Sequence, residues 1–199
     1  VDTLKLMWEK MGVEEQEILI VPWARGYRNV QDTRGTALFT MARTPEREHL
    51  FKWVGPIFGA KYILVARSDF RPIFKTVEDS FDYLVGTIRE DISELILKER
   101  GFPTVNMIRT NQPEQSFRML KGKRIDVLLL SEDSLPELLK VTGFSAKDFK
   151  TVWVVDSMDS YFAFHASTPD ILVERFQQAF EQLANQRRVI LKKYGMVPL

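Results

Sequence analysis

Short apolar runs alternate with amphipathic segments along almost the whole chain, and this pattern constrains the fold more than any other feature. Runs such as 62–67 and 125–130 have the length and apolar content of buried strands. Segments such as 2–11 repeat apolar residues at helical spacing. Strands that alternate with helices predict an α/β protein with mostly parallel sheets. The predicted strands span 17–21, 36–40, 62–67, 83–88, 105–108, 125–130, 151–155 and 161–166.

The stretch from Thr44 to Ile57, TPEREHLFKWVGPI, has the signals of a short helix. Thr44 can cap it, Pro45 suits its first position, and the Gly-Pro pair at 55–56 stops it. A short helix after a strand presents its early side chains at the strand end, where α/β proteins bind ligands. Arg47 is therefore a candidate ligand-binding residue.

Composition excludes several classes of function. The chain has 199 residues, which suits one large domain or two small lobes. A formal net charge of +1 gives no electrostatic case for binding nucleic acid or an anionic membrane. No run of about 18 apolar residues is present, so no transmembrane helix is predicted. The absence of cysteine excludes disulfides and thiolate metal sites within these residues.

The common catalytic motifs are missing from the sequence. There is no P-loop, no glycine-rich dinucleotide fingerprint and no nucleophile elbow. The two histidines, His49 and His165, are too far apart in sequence for a local metal motif. No pair of carboxylates stands out as an acid/base couple. We therefore predict no catalytic residue, no metal site and no cofactor.

The ordered set of motifs resembles the extracellular solute-binding proteins of family 3, the substrate-binding components of amino-acid-type ABC importers. The likeness covers nearly the whole chain, and its specificity lies in the order of the motifs. The segments that carry it are VPWARGYRNV, RTPEREHLFKWVGPI, YILVAR, VGTIREDISELIL, LKGKRIDVLLLSED and the C-terminal STPDILVERFQQAFEQL with ILKKYG.

This resemblance implies a type II periplasmic-binding-protein fold of two α/β lobes. Lobe one is expected to comprise residues 1–59 plus 161–199, and lobe two residues 60–160. The chain would cross between the lobes twice, near Gly59–Lys61 and Met158–Ser160. Members of the family begin with a strand that these residues lack, so we expect an empty or differently filled sheet position in lobe one. An exposed strand edge of this kind invites pairing with another chain.

The resemblance also implies ligand-binding residues in lobe one. Arg47 matches the arginine that clamps the ligand carboxylate, a role that suits the two parallel donors of a guanidinium. Thr40 and Ala42 match strand-end positions that meet the same carboxylate. Trp23 matches a position that forms an apolar wall for the ligand, although a tryptophan there can equally belong to the core.

In lobe two, Arg89, Glu90 and Asp91 match the strand-to-helix turn whose backbone N–H groups favour an anionic ligand group. Small residues are usual at the last two of these positions, and Asp91 can instead cap the helix. Ser131 occupies the position of the aspartate that holds the ammonium group of amino-acid ligands, with Glu132 and Asp133 beside it. Whether the ligand is an α-amino acid therefore stays open.

The function implied by the resemblance is capture of a small carboxylate-bearing solute in an interlobe cleft and its delivery to the membrane permease of an ABC importer. The protein would be exported to the periplasm, its signal peptide lying outside these residues, and would be a monomer in which strand exchange is possible. One alternative is the ligand-sensing domain of a signalling receptor. The chain ends at Pro198-Leu199, soon after the closing helix, which favours a free protein. A second alternative is a dehydratase-type enzyme that uses Glu90 or Glu132.

Overall fold

The computed structural model describes residues 1–196, so the end of the chain, on which the expectation of a free protein relied, lies outside the described residues. The chain divides into two compact units. The first unit contains Val1–Val21, Arg25–Gly59 and the chain from Met158 onward, and the second contains Pro22–Ala24 and Ala60–Ser157. The lobe ranges expected from the sequence differ from these at residues 22–24 and 158–160. A hinge function for the two crossings stays a prediction.

The described residues form helices and strands that alternate over much of the chain, as the sequence indicates. The helices are α1 (Asp2–Met11), α2 (Trp23–Asp32), α3 (Ile92–Glu99), α4 (Pro113–Lys121), α5 (Leu135–Thr142), α6 (Asp170–Gln182) and α7 (Ala184–Lys193). The strands are β1 (Ala37–Ala42), β2 (Phe51–Arg67), β3 (Val85–Ile88), β4 (Met107–Thr110), β5 (Val127–Ser131) and β6 (Phe149–His165).

Hydrogen bonds connect the strands in the order β1-β6-β2-β5-β3-β4. This order runs through both units because β2 begins in the first unit and ends in the second, while β6 runs from the second unit into the first. We expected a separate sheet in each lobe. The strand order instead forms one continuous list, because β2 and β6 each contribute residues to both units.

The sheet is mixed rather than mostly parallel. Strand β3 is parallel to both β4 and β5, whereas β2 pairs antiparallel with β5 and β1 pairs antiparallel with β6. Alternation in the sequence identifies the elements, but strand direction depends on which strands become neighbours. In the first unit, β1 is paired with β6, and Ala42 lies opposite Ser160.

The core of the second unit packs tightly around a glycine on β3. The side chains of Ile63, Val65, Phe117 and Leu128 are at most 1% exposed and form one cluster. Gly86 on β3 permits this packing, because a Cβ at that position would lie 2.4 Å from the Cδ1 atom of Ile125. Any larger residue would require the buried Ile125 side chain to shift, at a cost in packing.

Two strand predictions differ from the structure. Residues 151–155 and 161–166 were expected to be separate strands, but they belong to the single strand β6. The polar residues between them do not form a turn: Asp156 pairs with Arg100 at 3.0 Å, and Ser160 stays in register with Ala42. Polar residues that suggest a turn can continue a strand when their side chains have partners on neighbouring elements.

The predicted strand 17–21 is not formed in the structure. Two of its apolar side chains face solvent, with Leu19 65% exposed and Ile20 99% exposed. A strand requires a hydrogen-bonded neighbour, and within the described residues β1 is the last strand at its edge of the sheet. The expectation that a partner strand fills this part of the first unit stays a prediction.

Candidate functional site

The turn that carries Arg47 is not the predicted helix. Residues 45–50 form tight turns, and strand β2 begins at Phe51. The Arg47 N–H donates to the Thr44 carbonyl at 3.0 Å, and the Leu50 N–H donates to the Arg47 carbonyl at 3.0 Å. The aromatic and β-branched residues that follow favour a strand, which ends the helical geometry after these turns.

Arg47 lies inside the first unit rather than on its surface. The residue is 5% exposed. Its Nη1 atom donates to the Ala42 carbonyl at 3.3 Å, and its Cζ atom lies 5.1 Å from the centroid of the Tyr27 ring. These contacts place the guanidinium at the carboxyl end of β1. Burial of a cation costs free energy unless its donors form hydrogen bonds. This cost does not arise for an arginine on the solvated surface.

The two strand-end residues named with Arg47 differ in accessibility. Ala42 is 2% exposed, and its carbonyl accepts from Arg47. Thr40 is exposed. The Thr40 hydroxyl is therefore available to a solvent-borne group, while the contribution of Ala42 lies in its backbone.

A second arginine on the same turn was missed by the sequence analysis. Arg43 donates from Nε and Nη2 to the two oxygens of Glu48 at 2.7 and 2.6 Å. Its guanidinium also lies over the rings of Trp53, at 5.7 Å, and Tyr161, at 5.3 Å. The hydrogen bonds from Arg43 hold the pKa of the Glu48 carboxyl below its ordinary value. A spacing of five residues does not fit a helix face, so only the turn brings this pair together.

An open concavity of about 500 Å³ adjoins this pair. Its walls combine the arginine–glutamate pair with apolar, acidic and aromatic side chains from the second half of β6. The lining residues are Arg43, Thr44, Pro45, Glu48, Met158, Asp159 and Tyr161.

In the second unit, the backbone N–H groups of the turn from β3 to α3 are hydrogen-bonded to acceptors of the protein itself. The Arg89 N–H donates to the Thr110 carbonyl at 2.9 Å, and the Glu90 N–H donates to the Glu94 carboxylate at 2.8 Å. Asp91 caps α3 by accepting from the Ser93 N–H at 3.2 Å. The capping alternative for Asp91 is thus confirmed. An anion bound at the Glu90 N–H would compete with the Glu94 carboxylate.

Glu94 is a buried carboxylate that the sequence analysis did not single out. Its side chain is 7% exposed and lies 2.6 Å from Lys98 Nζ and 3.0 Å from Arg109 Nε. Burial alone would raise the pKa of the Glu94 carboxyl. Hydrogen bonds from Lys98 and the Glu90 N–H, with the charges of Lys98 and Arg109, outweigh burial and hold this pKa below its ordinary value. The group is therefore ionised at neutral pH.

Trp23 is grouped with the second unit, although it was assigned to lobe one from the sequence. Its indole Nε1–H donates to the Glu90 carbonyl at 2.9 Å. Glu90 has a positive φ of 60°, a left-handed conformation that costs energy for a residue other than glycine. The indole therefore supports the backbone at this strained turn, and its role as a ligand wall stays a prediction.

The end of β5 brings a carboxylate to the position predicted for a ligand contact. Ser131 is the last residue of β5, and a single 3-10 turn, Glu132–Ser134, follows. The Ser131 hydroxyl donates to the Asp133 carboxylate. Both side chains are half-buried, whereas Glu132 is exposed. Of the two acidic residues expected beside Ser131, Asp133 is in contact with it and Glu132 is exposed to solvent.

Two negative findings hold for residues 1–196. Within that range, no group of three or more histidine, aspartate or glutamate side chains is arranged to hold a metal ion. Within the same range, no helix has both the length and the apolar content to cross a membrane.

Comparisons with known proteins identify the fold. No protein-family model and no curated protein matches the chain. Solved structures do match. A histidine kinase sensor domain with similarity to periplasmic binding proteins is 18% identical with a TM-score of 0.89, over 100% of this chain and 86% of that one.

Two transport proteins are also similar. A mutant of the arginine-binding protein ArgBP from T. maritima is 19% identical, with a TM-score of 0.85 over 98% of this chain and 83% of that one. The amino acid ABC transporter substrate-binding protein AbpA from Streptococcus pneumoniae, bound to L-arginine, is 16% identical, with a TM-score of 0.84 over 97% and 81%. The chain therefore has the α/β fold of the type II periplasmic binding proteins.

Proposed function

We propose that this protein binds a small carboxylate-bearing solute, an amino acid or a related organic acid, and that Arg47 clamps the carboxylate. The single observation that carries the proposal is the position of Arg47, 5% exposed at the carboxyl end of β1, in a fold whose solved examples include amino-acid-binding proteins. A guanidinium offers two parallel donors to a planar anion. The exposed Thr40 hydroxyl, on the same strand end, is proposed as an additional donor.

In the second unit, we propose that Ser131 and Asp133 distinguish the solute's other groups. The Asp133 carboxylate lies against Ser131, so the negative charge that an ammonium group requires is present two residues after the expected position. An amino acid would bring a cation to this carboxylate, whereas an organic acid without an amino group would offer it no positive charge. This arrangement favours an amino acid over the corresponding organic acid.

The turn at residues 89–91 is proposed to contribute the Arg89 side chain rather than its backbone N–H groups. Glu94 already satisfies the Glu90 N–H, and Asp91 is occupied as a helix cap. Arg89 is exposed and donates to the Asn111 side chain at 3.3 Å, so it can rearrange to meet an anionic group at small cost. Trp23 is proposed to present its ring to the solute while its N–H holds the Glu90 carbonyl.

The proposed role of binding is delivery of the solute, in the periplasm, to the permease of an ABC importer, by a protein that acts as a monomer. The competing role is sensing, and the likeness to a histidine kinase sensor domain favours it as strongly as the likeness to ArgBP and AbpA favours transport. Fractionation of cells that express the natural full-length gene separates the two. Release by osmotic shock supports a free carrier, and retention with the membrane supports a sensor.

The test of binding is a thermal-shift screen with amino acids, their 2-oxo acids and small peptides. A true ligand at 100 times its dissociation constant should stabilise the protein by about 2.7 kcal/mol. Arg47→Ala should lose this stabilisation, whereas Arg25→Ala, which removes an exposed arginine of the same unit, should keep it. A ligand that stabilises wild type and Arg47→Ala equally would contradict the clamp, and turnover of the bound solute would contradict a purely binding function.

A further inference from the structure

The Arg47 guanidinium rests on an aromatic ring that comes from a different element. Tyr27 lies on α2, twenty residues before Arg47, and its ring centroid is 5.1 Å from the Arg47 Cζ atom. A cation within about 6 Å of a ring centroid is attracted to the ring face, and the attraction strengthens as water is removed. Because Arg47 is 5% exposed, this contact is largely desolvated.

Tyr27 itself packs against Phe51, which is in turn held by Trp53. Its ring meets Phe51 edge-on, with centroids 5.6 Å apart and an interplanar angle of 69°. Phe51, the first residue of β2, is 5% exposed and meets Trp53 edge-on at 5.6 Å. The position of the Tyr27 ring is therefore restricted by Phe51, which is part of β2, the strand that follows the Arg47 turn.

The helix that carries Tyr27 also approaches β1 closely. Gly26, next to Tyr27, is buried, and a Cβ there would lie 3.1 Å from the Leu38 Cδ1 atom. The missing side chain lets α2 lie against the strand whose end receives the Arg47 guanidinium. The distance between Tyr27 and the Arg47 turn is thus set by helix–strand packing rather than by the turn itself.

From these contacts we propose that Tyr27 is the positioning residue for Arg47, an inference that rests on the proposed function. The ring fixes the plane of the guanidinium, and the Ala42 carbonyl fixes its rotation through Nη1. Contact with the flat face leaves the guanidinium edge, which lies in the plane in which a carboxylate binds, uncovered by the ring. Arg47 is therefore ordered before the solute arrives, so less side-chain entropy is lost on binding.

The experiment measures the order of Arg47 directly and needs no ligand. The Nε–Hε signals of the arginine side chains are recorded by ¹⁵N NMR, and the Arg47 signal is assigned by its loss in Arg47→Lys. In wild type and in Tyr27→Phe, which keeps the ring, the order parameter of this group should be that of a rigid group, about 0.85. In Tyr27→Leu it should fall below about 0.6.

Arg43 is the internal control, since its guanidinium rests on Trp53 and Tyr161 and not on Tyr27. Its signal should be the same in all variants, which also shows that the fold is intact. Tyr27→Met serves the same purpose if the leucine variant does not fold. An Arg47 group that stays rigid without the ring would overturn the positioning role. Because no solute is added, that result is separate from a failure of the proposed function, which the thermal-shift screen reports.

Discussion

The Asp133 carboxylate accepts a hydrogen bond from the Ser131 hydroxyl, and this contact places a negative charge beside the end of β5. The family resemblance matches Ser131 to the aspartate that holds the ammonium group of amino-acid ligands. The 3-10 turn of Glu132–Ser134 brings Asp133, two residues after Ser131, into contact with it. We therefore propose that Asp133 supplies the negative charge for a ligand ammonium group.

Replacement of Asp133 should change selectivity rather than abolish binding. Asp133→Asn keeps the size of the side chain but removes the charge that attracts an ammonium group. We expect about ten- to hundred-fold weaker binding of an amino acid, since a hydrogen bond to a charged group contributes roughly 1.5–3 kcal/mol. Binding of the matching 2-oxo acid should be unchanged. Calorimetric titration measures both, with Glu132→Gln, an exposed neighbour, as control. Equal losses for both ligands would contradict this role.

Replacement of Arg47 should weaken binding of every carboxylate ligand. Loss of a desolvated, charge-assisted contact costs about 2–5 kcal/mol of affinity, or roughly thirty-fold to several thousand-fold. Arg47→Lys should also bind weakly, because an ammonium cannot reproduce the two-point fork. Since Arg47 is 5% exposed, Arg47→Ala should in addition destabilise the fold by about 1–3 kcal/mol. Titration and urea unfolding of both variants separate the two effects, and full affinity in Arg47→Lys would show that the fork is not used.

Glu94 should make the stability of the protein depend on acid pH. The pKa of its carboxyl is held below the ordinary value of 4.5 in the folded protein, so its contribution is fully present above pH 4.5 and is lost as the pH falls through the lowered pKa. Glu94→Gln should cost about 1–3 kcal/mol at pH 7 and progressively less below pH 4.5. Urea unfolding at several pH values measures this difference. Glu137→Gln, which alters an exposed carboxylate, is the control. If the loss of unfolding free energy in Glu94→Gln were the same in acid as at pH 7, the ion pairs of Glu94 would not be its cause.

The exposed segment before α2 should promote self-association. Ile20 is 99% exposed, Leu19 is 65% exposed, and β1 lies at the sheet edge of the described residues. Exposed apolar groups beside a free strand edge favour pairing with another chain. Ile20→Lys should reduce concentration-dependent light scattering and change the free energy of unfolding by no more than about 0.5 kcal/mol. A larger loss of stability would mean that Ile20 is covered in solution, as the expected partner strand requires.

The class of the fold and the identity of most elements follow from the amino-acid sequence alone. The periods of apolar residues distinguish helix from strand because they report which face of each element is buried, and this holds without knowledge of its neighbours. The helix Asp2–Met11 is such a case, whereas the run 125–130 is identified as a strand by its length and apolar content. The order of short motifs also led to Arg47, since a strand followed by a turn with an arginine is a local pattern.

Features that depend on a second segment of the chain are visible only once the chain is folded. The segment 17–21 has the composition of a strand but forms none, because hydrogen bonding of a strand requires a neighbour. The stretch after Thr44 has helix signals, yet it turns into β2, whose pairing with other strands outweighs a local preference. Tyr27 beneath Arg47 and Asp133 against Ser131 are set by packing and by a turn. Contacts of this kind form only when elements pack together, so the spacing of residues in the sequence does not predict them.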